Sequence, residues 1–398
     1  MAPPDGLEDT REWWLGIKFA RGQVSTPISG VTDAEGRPWT VVTLPEVNEY
    51  LHFIDKHSSG QIQISEVVTT RGSKRRYIVD SLIEEAITSS QLEGASTTKR
   101  VAKEMIRSGR APINKSERMI LNNFQAMSFV SENYSEPLTV DMVKQIHRMV
   151  TDGTLDDPDA AGRFQEPGED RVVIQNERGE LLHTPPPAEL LEERMEFLCN
   201  FANSTDSDAP WIHPVTRAVV LHFWLGYDHP FEDGNGRTAR AIFYWSMLNQ
   251  GYWLTEYLSI SSILKRGPAK YARAFLYSEL DDNDFTYFLL FQLNVVKRAI
   301  ESMRSWLQRK MEEVRTVEQS LKGTALNYRQ VALVGHALRN PGASYTYKGH
   351  ALSHDVSLAS ARNDLLDLEK RGLMSKHKRG RQHEFRPARD LSALLRDG

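Results

Sequence analysis

Apolar residues recur at helical spacing through most of this chain. Across residues 77–94, Val79, Leu82, Ile83, Ala86, Ile87 and Leu92 fall on one helical face, and Gly94 stands where a C-terminal cap belongs. Residues 115–133 and 139–150 repeat the amphipathic pattern. A further helix is expected over about 188–203. Pro214 suits the first turn of another that reaches about Tyr227, and a second of that pair spans about 236–249. Segments 268–280, 284–293 and onward to about 321 are also helical in pattern.

Two stretches break the helical period. Arg171-Val172-Val173-Ile174 is β-rich, and Glu180-Leu181-Leu182-His183 can return antiparallel through a turn at 176–179. Pro185-Pro186-Pro187 ends that hairpin. Residues 1 to about 75 read as irregular or mixed, with a strand at 41–44 and a turn at 33–38. From about Leu326 the order is three helices (326–339, 347–352, 357–371) and then two short β segments around the basic run 376–381. That order is the pattern of a winged helix-turn-helix. Leu358, Ala361, Leu365 and Leu368 give the third helix its expected buried face. Ser357, Ser360, Arg362 and Asn363 are free to meet a DNA major groove, and the 376–381 wing to meet phosphates.

The 398 residues are enough for two or three domains, and the 40% hydrophobic and 26% charged content is that of a folded globular chain. The net charge of −4 is unevenly spread. Residues 323–398 hold 13 Lys+Arg and 7 Asp+Glu, so this segment carries +6 and the rest −10. The longest apolar stretch, 218–227, is far short of the roughly 20 residues of a membrane span, so no membrane role is expected. The first residues lack the basic start and apolar run of a secretory signal. The single cysteine, Cys199, excludes an internal disulfide. A cytoplasmic protein is expected.

The chemistry concentrates in His229-Pro230-Phe231-Glu232-Asp233-Gly234-Asn235-Gly236-Arg237-Thr238-Ala239-Arg240. Gly234-Asn235-Gly236 leads into a helix N-terminus, where unpaired N–H groups and the helix dipole make a phosphate site. Arg237 and Arg240, three apart, add bidentate donors. Asp233 beside them can hold Mg²⁺ against phosphates. A neutral His229 can take a proton from a hydroxyl. Phe231, between polar neighbours, is expected to point inward as the loop's anchor. A base, a metal carboxylate, a phosphate nest and two arginines imply in-line transfer of a phosphate-containing group.

The same twelve residues match, at every fixed position, the signature of Fic (filamentation induced by cAMP) domain proteins, and the chain resembles that family over roughly residues 77–320. His213-Pro214, Arg217 and His222 resemble the family's preceding helix. The hairpin at about 171–184 resembles its flap, so that Val172, Val173 and Ile174 would align the target. The resemblance implies a mainly α Fic fold with a β-hairpin flap, and transfer of AMP from ATP to a Ser, Thr or Tyr hydroxyl of a protein. His229 would be the base, Asp233 the Mg²⁺ ligand, Gly234, Asn235 and Gly236 the cradle of the transferred phosphate. Arg237 and Arg240 would grip the outer phosphates, and Tyr271 would lie near the base. The partners implied are ATP, a protein target that includes the enzyme itself, and a second copy in a homodimer.

Ser89-Ser90-Gln91-Leu92-Glu93-Gly94 resembles the inhibitory motif of the same family, in which the glutamate pairs with the second signature arginine, here Arg240. Ser89 and Glu93, four apart, share a helix face. The expected organisation is an N-terminal region at 1–114 containing the inhibitory helix, a Fic core at 115–322 and a winged helix at 323–398. Three readings stay open at this level. They are an autoinhibited protein adenylyltransferase, a Fic enzyme using another donor or removing AMP, and a nucleotide-sensing DNA-binding regulator.

Overall fold

The computed structural model describes residues 6, 9–59, 71–175, 179, 181–204, 210–321, 326–339, 342–354, 356–379 and 382–394. The chain forms two compact units, Met1–Met303 and Arg304–Gly398. Both are dominated by helices, as the periodicity predicts.

The larger unit is built around two adjacent helices, α8 (Pro214–Asp228) and α9 (Asn235–Asn249). In α8 the residues from Val215 to Leu225 are buried apart from the partly exposed Thr216, and α9 is buried on nearly every side. A helix that is apolar all round must be enclosed. The enclosing elements are α3 (Arg71–Leu92), α5 (Lys115–Asn133), α6 (Val140–Thr151) and α7 (Leu191–Asn203), with α11 (Pro268–Leu280) and α12 (Thr286–Leu321). Local sequence sets several of their ends. The Asn114 side chain accepts from the Glu117 N–H to start α5, and Thr139 accepts from the Met142 N–H to start α6. Each such cap contributes about 1 kcal/mol. At the end of α3 the Ala95 N–H bonds Ser90 O and the Gly94 N–H bonds Gln91 O. This is the paired closure of a glycine-terminated helix.

Residues 9–58 are more ordered than the mixed pattern suggests. They form α1 (Thr10–Gly22), an antiparallel hairpin of β1 (Ser25–Thr32) with β2 (Pro38–Val42), and α2 (Pro45–Ser58). The expected strand at 41–44 is therefore the end of β2 and the turn into α2. The hairpin carries Trp39, 1% exposed, edge-on to Phe223 at 4.6 Å and to Tyr227 at 5.2 Å, both on α8. Backbone bonds from Thr40 N–H to Asn283 O and from Phe285 N–H to Thr40 O fix it from the other side. A further helix, α4 (Lys99–Ser108), lies in a stretch where the sequence reading placed none. The expected helices at 284–293 and beyond are one continuous α12.

Among the described residues the flap's ladder is shorter than its β-rich sequence implies, and only β3 (Ile174–Gln175) and β4 (Leu181–His183) pair, with Ile174 opposite His183. Val172 and Val173 precede the ladder without joining it. The expected turn at 176–178, and Glu180, lie outside the described residues.

The smaller unit places α13 (Tyr328–Arg339), α14 (Tyr347–His354) and α15 (Leu358–Lys370) before an antiparallel pair, β5 (Met374–Arg379) and β6 (Gln382–Pro387). Leu365, Leu368, Leu333, Val334 and Phe385 form its core. Three details depart from the sequence reading. Leu358 is 60% exposed, because it is the first residue after the Ser357 cap and its turn faces solvent. The polar Asp364 is buried instead, where Arg329, Asn327 and His350 satisfy its carboxylate. Helix α14 runs through Ser353 and His354, which the sequence reading put in the turn, and Asp355 lies outside the described residues. Among the described residues no helix is long and apolar enough to cross a membrane.

Candidate functional site

His229 caps α8 in the left-handed conformation, φ 44° and ψ 52°. For a residue with a Cβ this costs about 1–2 kcal/mol and needs support. Two arginines give it. Arg171 at the base of the flap donates to the carbonyls of Asp228 (2.7 Å) and His229 (3.1 Å), and its Nε donates to Pro186 O (2.9 Å). Its remaining nitrogen bonds Gln165 Oε1. Arg194 on α7 grips the buried Asp228 carboxylate through Nε and Nη2 at 2.7–3.0 Å. It also donates to the carbonyls of Asp33 and Thr32 in the N-terminal hairpin. The residue before the histidine is thus held by both the flap and the hairpin.

The His229 ring has Nδ1 3.3 Å from Gly226 O, which leaves Nε2 toward the cavity as the nitrogen able to accept a proton. Burial lowers its pKa to about 4, so the imidazole is neutral near pH 7.

Beyond it the loop is over-determined. Phe231 is fully buried as expected, stacked on His147 with centroids 3.6 Å apart. His147 accepts from the Gly162 N–H at Nδ1 (2.9 Å), so Nε2 carries the hydrogen and donates to Asp233 O (2.7 Å). Burial lowers its pKa also to about 4. The Asn235 side chain makes a reciprocal pair with Phe231, accepting from its N–H (2.9 Å) and donating to its carbonyl (2.8 Å). That amide is committed to the loop, and what Asn235 offers a ligand is its backbone N–H. Gly234, φ +85°, has no room for a side chain, since a Cβ would lie 2.7 Å from Thr151 Cγ2. Helix α9 begins there with no side-chain cap, so its first N–H groups remain available to an anion.

The two arginines part company. Arg237, fully buried, donates to Val150 O (2.6 Å) and lies 3.4 Å from Asp233 Oδ2, and burial lowers its pKa. Arg240, 1% exposed, faces α3. Its Nε donates to Ser89 Oγ (2.8 Å), and its Nη2 donates to Ser89 O (3.2 Å) and Glu93 Oε1 (2.7 Å). Burial pulls the Arg240 pKa down, and the Glu93 carboxylate more than restores it. The pairing expected from the inhibitory motif is present in atomic detail.

Glu93, Gly236, Arg240, His229, Tyr271, Ile174 and His183 line a cavity of about 210 Å³. The volume is below the roughly 300–1,000 Å³ of ordinary ligand sites, and the Glu93 carboxylate is part of the wall. Tyr271 bonds His222 Nε2 through its hydroxyl (2.8 Å). Val173 is exposed, and of the three flap residues only Ile174 lines the cavity. His183 is fastened by Nδ1 to Glu279 (2.7 Å) and by Nε2 to Tyr227 O (2.7 Å).

Asp233 is the carboxylate beside the nest, with a half-exposed side chain. Its Oδ1 accepts the Gly234 N–H (2.5 Å), and Oδ2 faces out past Arg237. Among the described residues no group of three or more potential ligands stands ready to hold a metal. A single carboxylate beside an open helix start is the donor chemistry that Mg²⁺ takes where substrate phosphates complete its shell.

The sequence reading did not single out Arg171, Gln165, His147, Arg194 or Asp228 as site residues. It also missed Glu85, a buried carboxyl on α3 that accepts from Ser259 Oγ, Ser261 Oγ and the Ser261 N–H and whose pKa burial raises. Their partners are distant in the chain, so spacing carries no sign of them. The one local signal is Asp228, a charge at the end of an otherwise apolar helix.

Residues 137–247 match the model of the Fic/DOC family. Protein adenylyltransferase Fic of Nematostella vectensis is 26% identical over 216 residues, 52% of this chain and 48% of that protein. Protein adenylyltransferase fic-1 of Caenorhabditis elegans is 31% identical over 129 residues, 32% of this chain and 23% of that protein. The chain thus spans about half or less of the length of these curated relatives. A Fic family protein from Desulfovibrio desulfuricans G20 shares the fold, with a TM-score of 0.57 at 18% identity, over 88% of this chain and 98% of that one.

Proposed function

We propose that this chain, which carries a Fic domain at residues 137–247, is a protein adenylyltransferase restrained by its own helix α3. The observation that carries the reading is the joint placement of His229, the uncapped start of α9 and Arg240 around one cavity, with Glu93 on Arg240. The adenylyltransferase relatives support the activity.

In the reaction, a Ser, Thr or Tyr hydroxyl of the target attacks the α-phosphorus of ATP. The hydroxyl proton passes to His229 Nε2, the new O–P bond forms, and the bond to the β-phosphate oxygen breaks to release pyrophosphate. Burial keeps His229 neutral before attack, and the phosphates' negative charge favours its protonation as the bond forms. The N–H groups of Asn235 and Gly236 receive charge on the transferred phosphate. Arg240 serves the outer phosphates once Glu93 releases it. Arg237, held behind the loop, keeps Asp233 in place. Asp233 would hold Mg²⁺, whose chemistry is neutralisation of phosphate charge. The flap, tied down through Arg171 and His183, offers its edge to the target backbone near Ile174.

The smaller unit is proposed as a winged helix that meets DNA. The exposed Ser357, Arg362 and Asn363 on α15 and the exposed His377 and Lys378 on β5 support it. Ser357 spends its hydroxyl as the α15 cap. A gel shift at low salt tests this part, and failure to bind a pool of duplexes there would remove it. A cytoplasmic location is proposed with it, consistent with the lone, buried, free Cys199.

The test of the main reading uses ATP labelled at the α-phosphate, with a γ-labelled control, and three proteins: wild type, Glu93→Gly, and Glu93→Gly with His229→Ala. The expected result is α-label on protein only with the single variant. Label from the γ-position would mean phosphorylation. Absence of label on all three, with target extract supplied, would count against AMP transfer.

A further inference from the structure

A second and larger cavity lies on the far side of α11 from the site above. Its volume is about 690 Å³, within the range of small-molecule sites. Its floor is aliphatic and aromatic, from Leu44, Ile263, Leu264, Leu290 and Phe291. Its rim carries Arg266, Lys270 and Arg298, opposed by a single acid, Glu46. All four rim residues are exposed, and among the described residues no hydrogen bond or ion pair engages the three cationic side chains. Elsewhere in this unit cations are used. Lys265, one residue from Arg266, bonds Gln91, while Lys99, Lys103 and Arg107 on α4 pair with Glu84 and Asp80.

Two helix starts also meet at this cavity. Helix α2 begins after Leu44 and α11 begins after Gly267, both without a side-chain cap, and both residues line the wall. Pro45 and Pro268 open these helices and carry no N–H, so what the two starts add beside the unpaired cations is chiefly the positive end of each helix dipole. An apolar floor under a cationic rim matches a ligand that is apolar at one end and anionic at the other. The volume selects a small molecule over a folded partner. The guanidinium groups of Arg266 and Arg298 suit a planar carboxylate or a phosphate.

We propose that this cavity is a binding site for a small amphipathic anion, an alkyl or aryl carboxylate or phosphate monoester. It is separate from the catalytic cavity. Lys270 faces it while the next residue, Tyr271, faces the catalytic side, and the Tyr271 ring stacks against Phe291 of the new site at 6.1 Å.

The test is equilibrium dialysis of the full chain with radiolabelled decanoate below its micelle concentration. Decyl phosphate, decanol and inorganic phosphate serve as competitors. Saturable binding of one equivalent is expected, displaced by decyl phosphate and at least about tenfold less well by decanol or phosphate alone. Each tenfold corresponds to about 1.4 kcal/mol. Lys270→Glu and Arg298→Glu, both at exposed positions, should each weaken binding about five- to tenfold, and Glu46→Gln should strengthen it. The opposite sign of the last variant separates a charge effect from damage to the fold. Absence of saturable binding would overturn the proposal. So would equal affinity for decanol, indifference to all three substitutions, or displacement by ATP, which would put the probe in the catalytic cavity.

Discussion

Gly236 and Glu93 stand so close that a methyl group on the first would overlap the carboxylate of the second. The same methyl would lie 3.0 Å from Arg240 Nη1. Under the proposed function, the bare backbone at Gly236 has room for one anion at a time, the Glu93 carboxylate or a substrate phosphate, and the proposed brake would be competitive in a literal sense.

Removing the carboxylate should therefore release the site. A hydrogen bond to a charged group contributes about 1.5–3 kcal/mol, so Glu93→Gly should raise nucleotide transfer about 10–100-fold in initial rate. Adding Gly236→Ala to that variant should take most of the gain away, because the methyl obstructs a phosphate as it does the carboxylate. Equal rates for the single and double variants would refute the shared-space argument.

Asn235 is expected to matter through the loop it closes. Asn235→Ala leaves the buried Phe231 N–H and carbonyl without their partner. The cost should be about 2–6 kcal/mol, at about 1–3 kcal/mol for each of the two orphaned groups. Urea denaturation would show it as a lower midpoint at unchanged slope, and transfer should fall with it.

The Arg194–Asp228 pair is fully enclosed. Removing one partner from such a pair costs about 3–5 kcal/mol, whereas replacing both by apolar groups is often neutral. Asp228→Leu alone should therefore destabilise strongly. Arg194→Met with Asp228→Leu should recover only part of the stability, because the Thr32 and Asp33 carbonyls lose their donor, and should not recover the rate, since the backbone before His229 loses its clamp. Thermal melts and transfer assays on the three variants check both halves.

Acid should weaken the fold through its buried histidines. Burial lowers His147 and His229 to about 4 and His222 to about 3, from an ordinary 6.5. Between about pH 4 and 6.5 the unfolded chain binds protons that the folded chain does not. Stability is thus full above about pH 7 and falls as pH drops, at up to about 1.4 kcal/mol per pH unit for each histidine. His147→Gln should remove about one proton from the slope measured by denaturation between pH 5 and 7. An unchanged slope would contradict the assignment.

The helices and the catalytic loop were legible in the sequence because their signals are local. The apolar period of 214–228, the glycines at 234 and 236 and the four-residue spacing of Ser89 and Glu93 each act within a turn or two. The supports were not legible. Arg171 reads as the first residue of a strand, yet its guanidinium holds two carbonyls 57 and 58 residues away. Arg237 and Arg240 read as a matched pair on one face. They separate because Val150 O and Ser89 lie on different helices, which only the tertiary packing decides. Leu358 reads as core by period and is exposed because it sits at the first turn of α15, before the helix meets its neighbours.

Trp39 and Arg194 give the architecture one more meaning. The stretch that matches the family model, 137–247, holds His229, Asp233 and Arg240, yet Trp39, which packs on α8, and the carbonyls of Thr32 and Asp33 that Arg194 grips belong to a hairpin a hundred residues upstream. A fragment trimmed to the signature and its neighbours would keep the whole recipe and lose the vessel. In this chain the portable piece of sequence and the heritable piece of structure have different borders. A foreign Fic segment grafted into this chain must fit the hairpin already there.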